Sequence, residues 1–483
     1  MESIPQAERR TYFRRMLQRE LADSLIRCAP LEDIRVLLAL GAQVNEPVAQ
    51  GLRPIHYAIY QQYQLAVEFL LLRGCQVDAM DDVGYTALHL CAEKGFLELA
   101  ELLMSYGARV CFTDVDTEGR TYYGNPPRVT MADEPLRIAI RNDHFEMAEL
   151  LLKHGANPNA RYFLGSEMNL ISPLAISYLE LLLRYGGDPN SKDRSGLTPL
   201  MKACRHPQGY DAAELLVRYG ADVNAMAGAR HDFRTVLHYA VLSSNKDIVK
   251  LVLSKGAKVN MDPGYAHPTP LDFSVLRANI ELIQLLLDWG ADINTGSPVI
   301  GSPLHIALSE HSDNSKEIVK LLLENGADPN SITYTEEGKP FLKPPIGEYF
   351  LSTDEFRAHR PREDIVRLLL KYGAKVVMTL QTQNELGILK TIQNVQDYPE
   401  VVNLVCECSE QNWSSNVVRR SNVLKPDVRS LLLQTASTPQ TLRQQCRSKL
   451  RKLLGTNARE VIENVPKLDM LPKCLRRHLL YEL

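Results

Sequence analysis

The chain has 483 residues, 45% of them apolar and 23% charged, with a net charge of -3. These values are typical of folded soluble protein and leave room for two to four ordinary domains or one long repeat array. No run approaches 18 uncharged apolar residues, which excludes a membrane-spanning helix. The nine cysteines are odd in number and scattered, which argues against a secreted disulfide framework.

The first twenty residues read as a solvated N-terminal capping segment. Arg9, Arg10, Arg14, Arg15 and Arg19 hint at a transit peptide, but Glu8, Glu20 and Asp23 spoil its acid-poor pattern. From residue 21 to residue 376 the chain repeats. Gly51-Leu-Arg-Pro-Ile-His-Tyr-Ala aligns with Gly84-Tyr-Thr-Ala-Leu-His-Leu-Cys-Ala at a period of 33. Each copy runs through a Leu-rich helix to a glycine: Gly41, Gly74, Gly107, Gly155, Gly186, Gly220, Gly256, Gly290, Gly326 and Gly373. A glycine suits that place because a helix ends most easily on a positive φ. The triplets Leu70-Leu71-Leu72, Leu285-Leu286-Leu287 and Leu321-Leu322-Leu323 are expected to face neighbouring units, since one unit cannot bury its own apolar face.

Two spacings are long, which places insertions at 111–133 and 331–361. The first contains Tyr122 and Tyr123, the second Tyr349 and Phe350; two readings stand, aromatic loops that contact a protein substrate or flexible surface loops. In the fifth unit, Ser172-Pro173-Leu174-Ala175-Ile176-Ser177 runs almost directly into Tyr178-Leu179-Glu180-Leu181, so its first helix is expected to be short. His56, His89, His238 and His305 share one slot of the repeat opening. A catalytic histidine is not reused four times, so a hydrogen bond to the adjacent turn is expected instead. Residues 377–435 read as a degenerate helical cap and junction, with helices over 385–393 and 400–408. Cys406-x-Cys408 has no second pair of ligands, so no metal site is expected, and no phosphate loop, G-x-S-x-G elbow or H-E-x-x-H supports catalysis or a cofactor.

The last 48 residues, 436–483, carry ten Lys or Arg against four Asp or Glu. Leu442, Cys446, Leu450 and Leu453 recur at four, four and three residues and so share one helix face. Arg443, Arg447, Lys449, Arg451 and Lys452 leave the rest cationic and wet, and Gly455 stands where a C-cap is easiest. The basic residues alternate with that apolar stripe and lack aromatic or Gly-rich companions, so no nucleic-acid partner is expected.

The 33-residue period, with Leu-Thr-Pro-Leu at 197–200 and Ser-Pro-Leu-His at 302–305, resembles the ankyrin repeat. It implies an all-α fold: a solenoid of about ten ankyrin repeats followed by a small helical C-terminal domain. At that end, Thr441-Leu442-x-x-x-Cys446-x-x-x-Leu450 resembles the Elongin-binding helix of the SOCS box. Leu471-Pro472-x-x-Leu475-x-x-His478-Leu479 is similar to its Cullin-5 box. The chain thus resembles the ankyrin-repeat and SOCS-box family.

The resemblance implies a non-catalytic substrate receptor of a ubiquitin ligase, with Elongin B, Elongin C, Cullin-5 and its RING partner as companions. Leu442, Cys446 and Leu450 would enter Elongin C, while Leu471, Pro472, Leu475 and Leu479 would form or support the Cullin-facing surface. The array would hold a protein substrate for ubiquitination, in the cytoplasm or also in the nucleus. The family commonly has L-P-aliphatic-P where this chain reads Asp469-Met470-Leu471-Pro472, and His478 replaces a usual tyrosine. A non-catalytic scaffold that binds Elongins with little ubiquitination is the alternative.

Overall fold

The computed structural model describes residues 6–480 except 113–132, 163, 263, 298, 311, 335–337, 339, 354–359, 382–383, 410–414, 421–423, 439–440, 455–461, 463–464 and 468–471. The described residues fall into two compact units, Met1–Phe233 and Arg234–Leu483.

In the first unit helices follow one another in pairs. They are α1 (Gln6–Ile26) with α2 (Leu31–Ala39), α3 (Pro54–Tyr60) with α4 (Gln64–Leu72), and α5 (Ala87–Lys94) with α6 (Leu97–Ser105). Then come α7 (Pro135–Arg141) with α8 (Phe145–Lys153), α9 (Glu167–Leu170) with α10 (Ile176–Arg184), and α11 (Pro199–Arg205) with α12 (Tyr210–Arg218). A two-residue hairpin, β1 (Arg161–Tyr162) and β2 (Gly165–Ser166), pairs antiparallel just before α9. The short first helix expected in the fifth unit is α9, four residues long. It lies upstream of Ser172, and Ile176 already belongs to the second helix. α1 runs across residue 20, packs on α2 and α3, and buries Leu21 and Leu25.

The second unit continues the pattern with α13 (Val236–Leu242), α14 (Lys246–Ser254), α15 (Pro270–Leu276), α16 (Ile280–Asp288), α17 (Pro303–Ser309) and α18 (Ser315–Glu324). α19 (Pro345–Ser352), α20 (Glu363–Lys371), a 3-10 turn at Thr391–Asn394 and α21 (Pro399–Cys408) extend the stack. Beyond it lie α22 (Ser415–Arg420), α23 (Pro426–Ser437), α24 (Leu442–Leu454) and α25 (Lys473–Leu479). The helix expected over 385–393 is not formed. Among those residues only Thr391 onward is helical, as a 3-10 turn, because Ile388, Leu389 and Ile392 are buried from an irregular path.

Each pair is punctuated by its sequence. Proline opens α11, α15 and α17, where its missing N–H costs nothing. The preceding Thr198 and Thr269 hydroxyls accept from the N–H of Met201 and Asp272, both at 3.3 Å. At the far end Gly290 takes φ +82°, and the Ala291 N–H returns to the Leu286 carbonyl at 3.0 Å. Burial follows the leucine triplets only in part: Leu70, Leu286 and Leu322 are fully enclosed, whereas Leu72 is 68% exposed; the first helices stack on each other from pair to pair within each unit. At about 1.5–3 kcal/mol for each buried leucine, these faces dominate the stability of the stack.

Candidate docking helix and the array that carries it

The histidine slot behaves as the sequence implies. The imidazole Nδ1 of His56, His89, His238 and His305 accepts the backbone N–H of Arg53, Thr86, Thr235 and Ser302, at 3.0, 3.1, 3.0 and 3.2 Å. With Nδ1 an acceptor, Nε2 carries the proton. In His238 and His305 it lies 3.1 and 3.0 Å from the carbonyls of Pro268 and Lys343 in the following pair. Burial depresses the pKa of all four, to about 4 in His89 and His238, so they are neutral struts. Asp272 fills the same slot in α15. One of its carboxylate oxygens accepts from the Thr269 N–H at 2.8 Å and from the hydroxyl at 2.9 Å. Burial pushes its pKa up to about 6.

A second ladder was not anticipated from the sequence. Four residues after a stopping glycine, an asparagine reaches the next pair. Asn294 donates to the Gly326 carbonyl at 3.2 Å and accepts from the Asp328 N–H at 2.8 Å. Asn159, Asn190, Asn260 and Asn330 make the same two bonds to Gly186/Asp188, Gly220/Asp222, Gly290/Asp292 and Gly373/Lys375. The signal was present in the recurring Gly-x-x-x-Asn spacing, read as Gly-Ala-Asp-x-Asn at 290–294 and 326–330, whose final asparagine makes this bridge.

The aromatics expected to meet a substrate fall differently. Tyr122 and Tyr123 lie outside the described residues. Tyr349 and Phe350 are buried, at 2% and 0% exposure, so they are not offered to a partner. The reason is that 345–352 is not loop: it forms α19, the first helix of a further pair, and packs on α17. The Tyr349 hydroxyl accepts the Arg362 N–H at 2.8 Å, closing the connection to α20.

At the C-terminal end α24 has an unusual exposure pattern. Its capping box is complete: the Thr441 N–H donates to Gln444 Oε1 at 2.9 Å, and the Gln444 N–H to Thr441 Oγ1 at 3.3 Å. Leu442 is 77% exposed, Leu450 37% exposed, and Cys446 is also exposed as a free thiol. These three residues stand one turn apart along one face, so the helix presents an apolar stripe to solvent.

The side that carries Gln444 and Arg447 is the docked one. Arg447, expected to be wet, is only 7% exposed. Its guanidinium donates to the Glu407 carbonyl at 3.2 Å and lies 3.8 Å from Cys408 Sγ, and Gln444 Nε2 donates to the same carbonyl at 3.2 Å. Glu407 is in the last turn of α21, where carbonyls lack intrahelical partners and the dipole favours a cation. Burial pushes the Cys408 thiol up to about 11, against the opposing pull of Arg447, so a neutral thiol sits beside the cation.

α25 lies against α24. Leu479 and Leu480 are buried with Val465 in a small core to which Ile462 contributes. Leu479 thus supports this end from inside, whereas Pro472 and Leu475 are exposed and Leu471 lies outside the described residues. Among the described residues no helix is long and apolar enough to cross a membrane.

Stacked helix pairs joined by histidine and asparagine bridges define a helical repeat protein. Comparison with known families specifies the repeat. A model described as "Ankyrin repeats (3 copies)" matches residues 25–114, 55–162 and 227–297, and one described as "Ankyrin repeat" matches 195–227 and 302–334. The chain therefore carries ankyrin repeats, modules of protein–protein interaction.

Similar curated proteins include the putative palmitoyltransferase ZDHHC13 of Danio rerio, 25% identical over 49% of this chain and 30% of that protein. The B-cell lymphoma 3 protein homolog of Mus musculus is 30% identical over 28% of each chain. Cyclin-dependent kinase inhibitor 2A of Homo sapiens is 35% identical over 17% of this chain and 54% of its own. The chain thus spans less than a third of the first two relatives and about half of the third.

Proposed function

We propose that this chain is the non-catalytic substrate receptor of an Elongin B/C–Cullin-5–RING ubiquitin ligase. In this reading the ankyrin array binds the protein to be ubiquitinated, and the segment 436–483 is a SOCS box. The observation that carries the reading is α24: its polar side is seated on α21 while Leu442, Cys446 and Leu450 face solvent. An apolar stripe with anchors one turn apart is what a helix-in-groove partner requires. The receptor's contribution to the reaction is proximity, raising the effective concentration of substrate lysines near a charged conjugating enzyme. Exposed Pro472 and Leu475 are the groups that would meet the cullin. The departure from the family pattern at Asp469-Met470 favours a second reading, an ankyrin scaffold that holds Elongins and supports little ubiquitination.

The test compares wild type with Leu442→Asp plus Cys446→Phe, captured from cells and supplied with ubiquitin-conjugating components. Proline at 442 is a poor choice, because Leu442 is the first helical residue, where proline is tolerated. Aspartate there suits the helix N-terminus yet removes the anchor. The receptor reading expects Elongins, Cullin-5 and ubiquitin-chain formation with the wild type, and none with the variant. Elongins without cullin or chains would select the scaffold, and capture of neither by the wild type would remove both readings.

A further inference from the structure

An amphipathic helix ordinarily turns its apolar stripe inward and its cations outward. α24 does the reverse where it meets α21, and the contact has a specific chemistry. Arg447 and Gln444 are three residues apart and so are neighbours on the side of α24 that meets α21, with Arg447 flanking the exposed stripe. Both donate to one acceptor, the Glu407 carbonyl, in the final turn of α21. α21 in turn packs on α20, the second helix of the last pair, and its Val401, Val402 and Val405 are buried. An unbroken chain of contacts therefore runs from the stacked pairs to α24 without involving the exposed stripe.

We infer that Arg447, assisted by Gln444, is a positioning residue that fixes the attitude of α24 to the array. The consequence rests on the receptor reading: the array would be held at a set angle to the ligase whether or not Elongins are bound. Arginine suits this role because its planar, permanently charged head can satisfy an orphan carbonyl at a helix C-terminus while lying almost wholly out of water. A partner in the groove-binding mode engages exposed Leu442, Cys446 and Leu450, whereas the head of Arg447 is turned onto α21 and buried. Docking and positioning are therefore separable by mutation.

The experiment places spin-labelled non-natural amino acids at exposed Glu400 in α21 and exposed Lys449 in α24 of the full chain. It measures their distance distribution by pulsed electron resonance, and titrates each protein with purified Elongin B/C. The wild type should give one narrow distribution. Arg447→Met should broaden it at least twofold, Arg447→Lys should restore most of the wild-type width, and Gln444→Ala should fall between. Elongin B/C affinity should stay within twofold throughout. An Arg447→Met distribution as narrow as the wild type would overturn the inference. So would a loss of Elongin affinity beyond tenfold in that variant, since the two faces would then not be independent. If the wild type itself fails to bind Elongin B/C, the receptor reading falls, and the widths still decide whether Arg447 is the joint.

Discussion

The helices of the array and α24 use the same kind of sequence, an apolar stripe on a polar cylinder, and place it in opposite ways. α16 encloses Leu282, Ile283 and Leu286 between neighbouring helices and leaves its charges outside, whereas α24 leaves Leu442, Cys446 and Leu450 outside and buries Arg447. Amphipathicity alone therefore does not say which face is covered. What decides is the acceptor available: the array offers α24 a carbonyl at a helix end, and an arginine meets it better than a leucine does.

The widest separation between the two regions is thermodynamic. Leu286→Ala should destabilise the chain by about 2–5 kcal/mol, because a fully buried leucine leaves a cavity that relaxes only in part. Leu442→Ala, at 77% exposure, should change stability by no more than about 0.5 kcal/mol. Urea unfolding of the two variants tests the contrast, and a comparable loss at Leu442 would mean its stripe is packed.

Next in size is the pH response of the repeat-opening slot. Asp272 binds its proton more tightly folded than unfolded, with a pKa raised from 3.8 to about 6 by burial. Its contribution is therefore fully present below about pH 4 and is lost as pH rises through 6, by an amount on the order of 2–3 kcal/mol. The histidines have the opposite sign. His89 and His238 titrate near 4 when folded instead of 6.5, so the stability they contribute is present above 6.5 and falls as pH drops through 4. Asp272→Asn should remove the loss between pH 4 and 6 in melting curves, and should leave the acid-side loss in place.

The smallest of these effects concerns the asparagine ladder. Asn294→Ala should cost about 1 kcal/mol, since its two bonds to the next pair are solvent-exposed and water replaces part of each. Asn294→Asp keeps the acceptor but sets a carboxylate oxygen against the Gly326 carbonyl, so it should lose at least as much.

Much of the array was legible because its information is local. The 33-residue spacing, the stopping glycines and the shared histidine slot each encode a turn or a cap within a few residues. Tyr349 and Phe350 were misread as loop anchors because the spacing to the next glycine was long. The structure shows that Pro345 opens a helix there and that the extra length lies around it. The run at 385–393 was misread as helix because its apolar residues point inward without a helical period. Arg447 was grouped with four other cations of α24, and nothing within that helix distinguishes it. Its partner, the Glu407 carbonyl, is a backbone atom forty residues away, so only the tertiary structure could single it out.

If the exposed stripe of α24 is a docking face, the thiol of Cys446 reports on it directly. Alkylation of Cys446 should be followed by mass spectrometry, with exposed Cys28 as the internal reference, with and without saturating Elongin B/C. A docking stripe gives fast modification in the free chain, at a rate close to that of Cys28, and protection of Cys446 alone when Elongin B/C is added. Slow modification in the free chain, or fast modification unaffected by Elongin B/C, would contradict it.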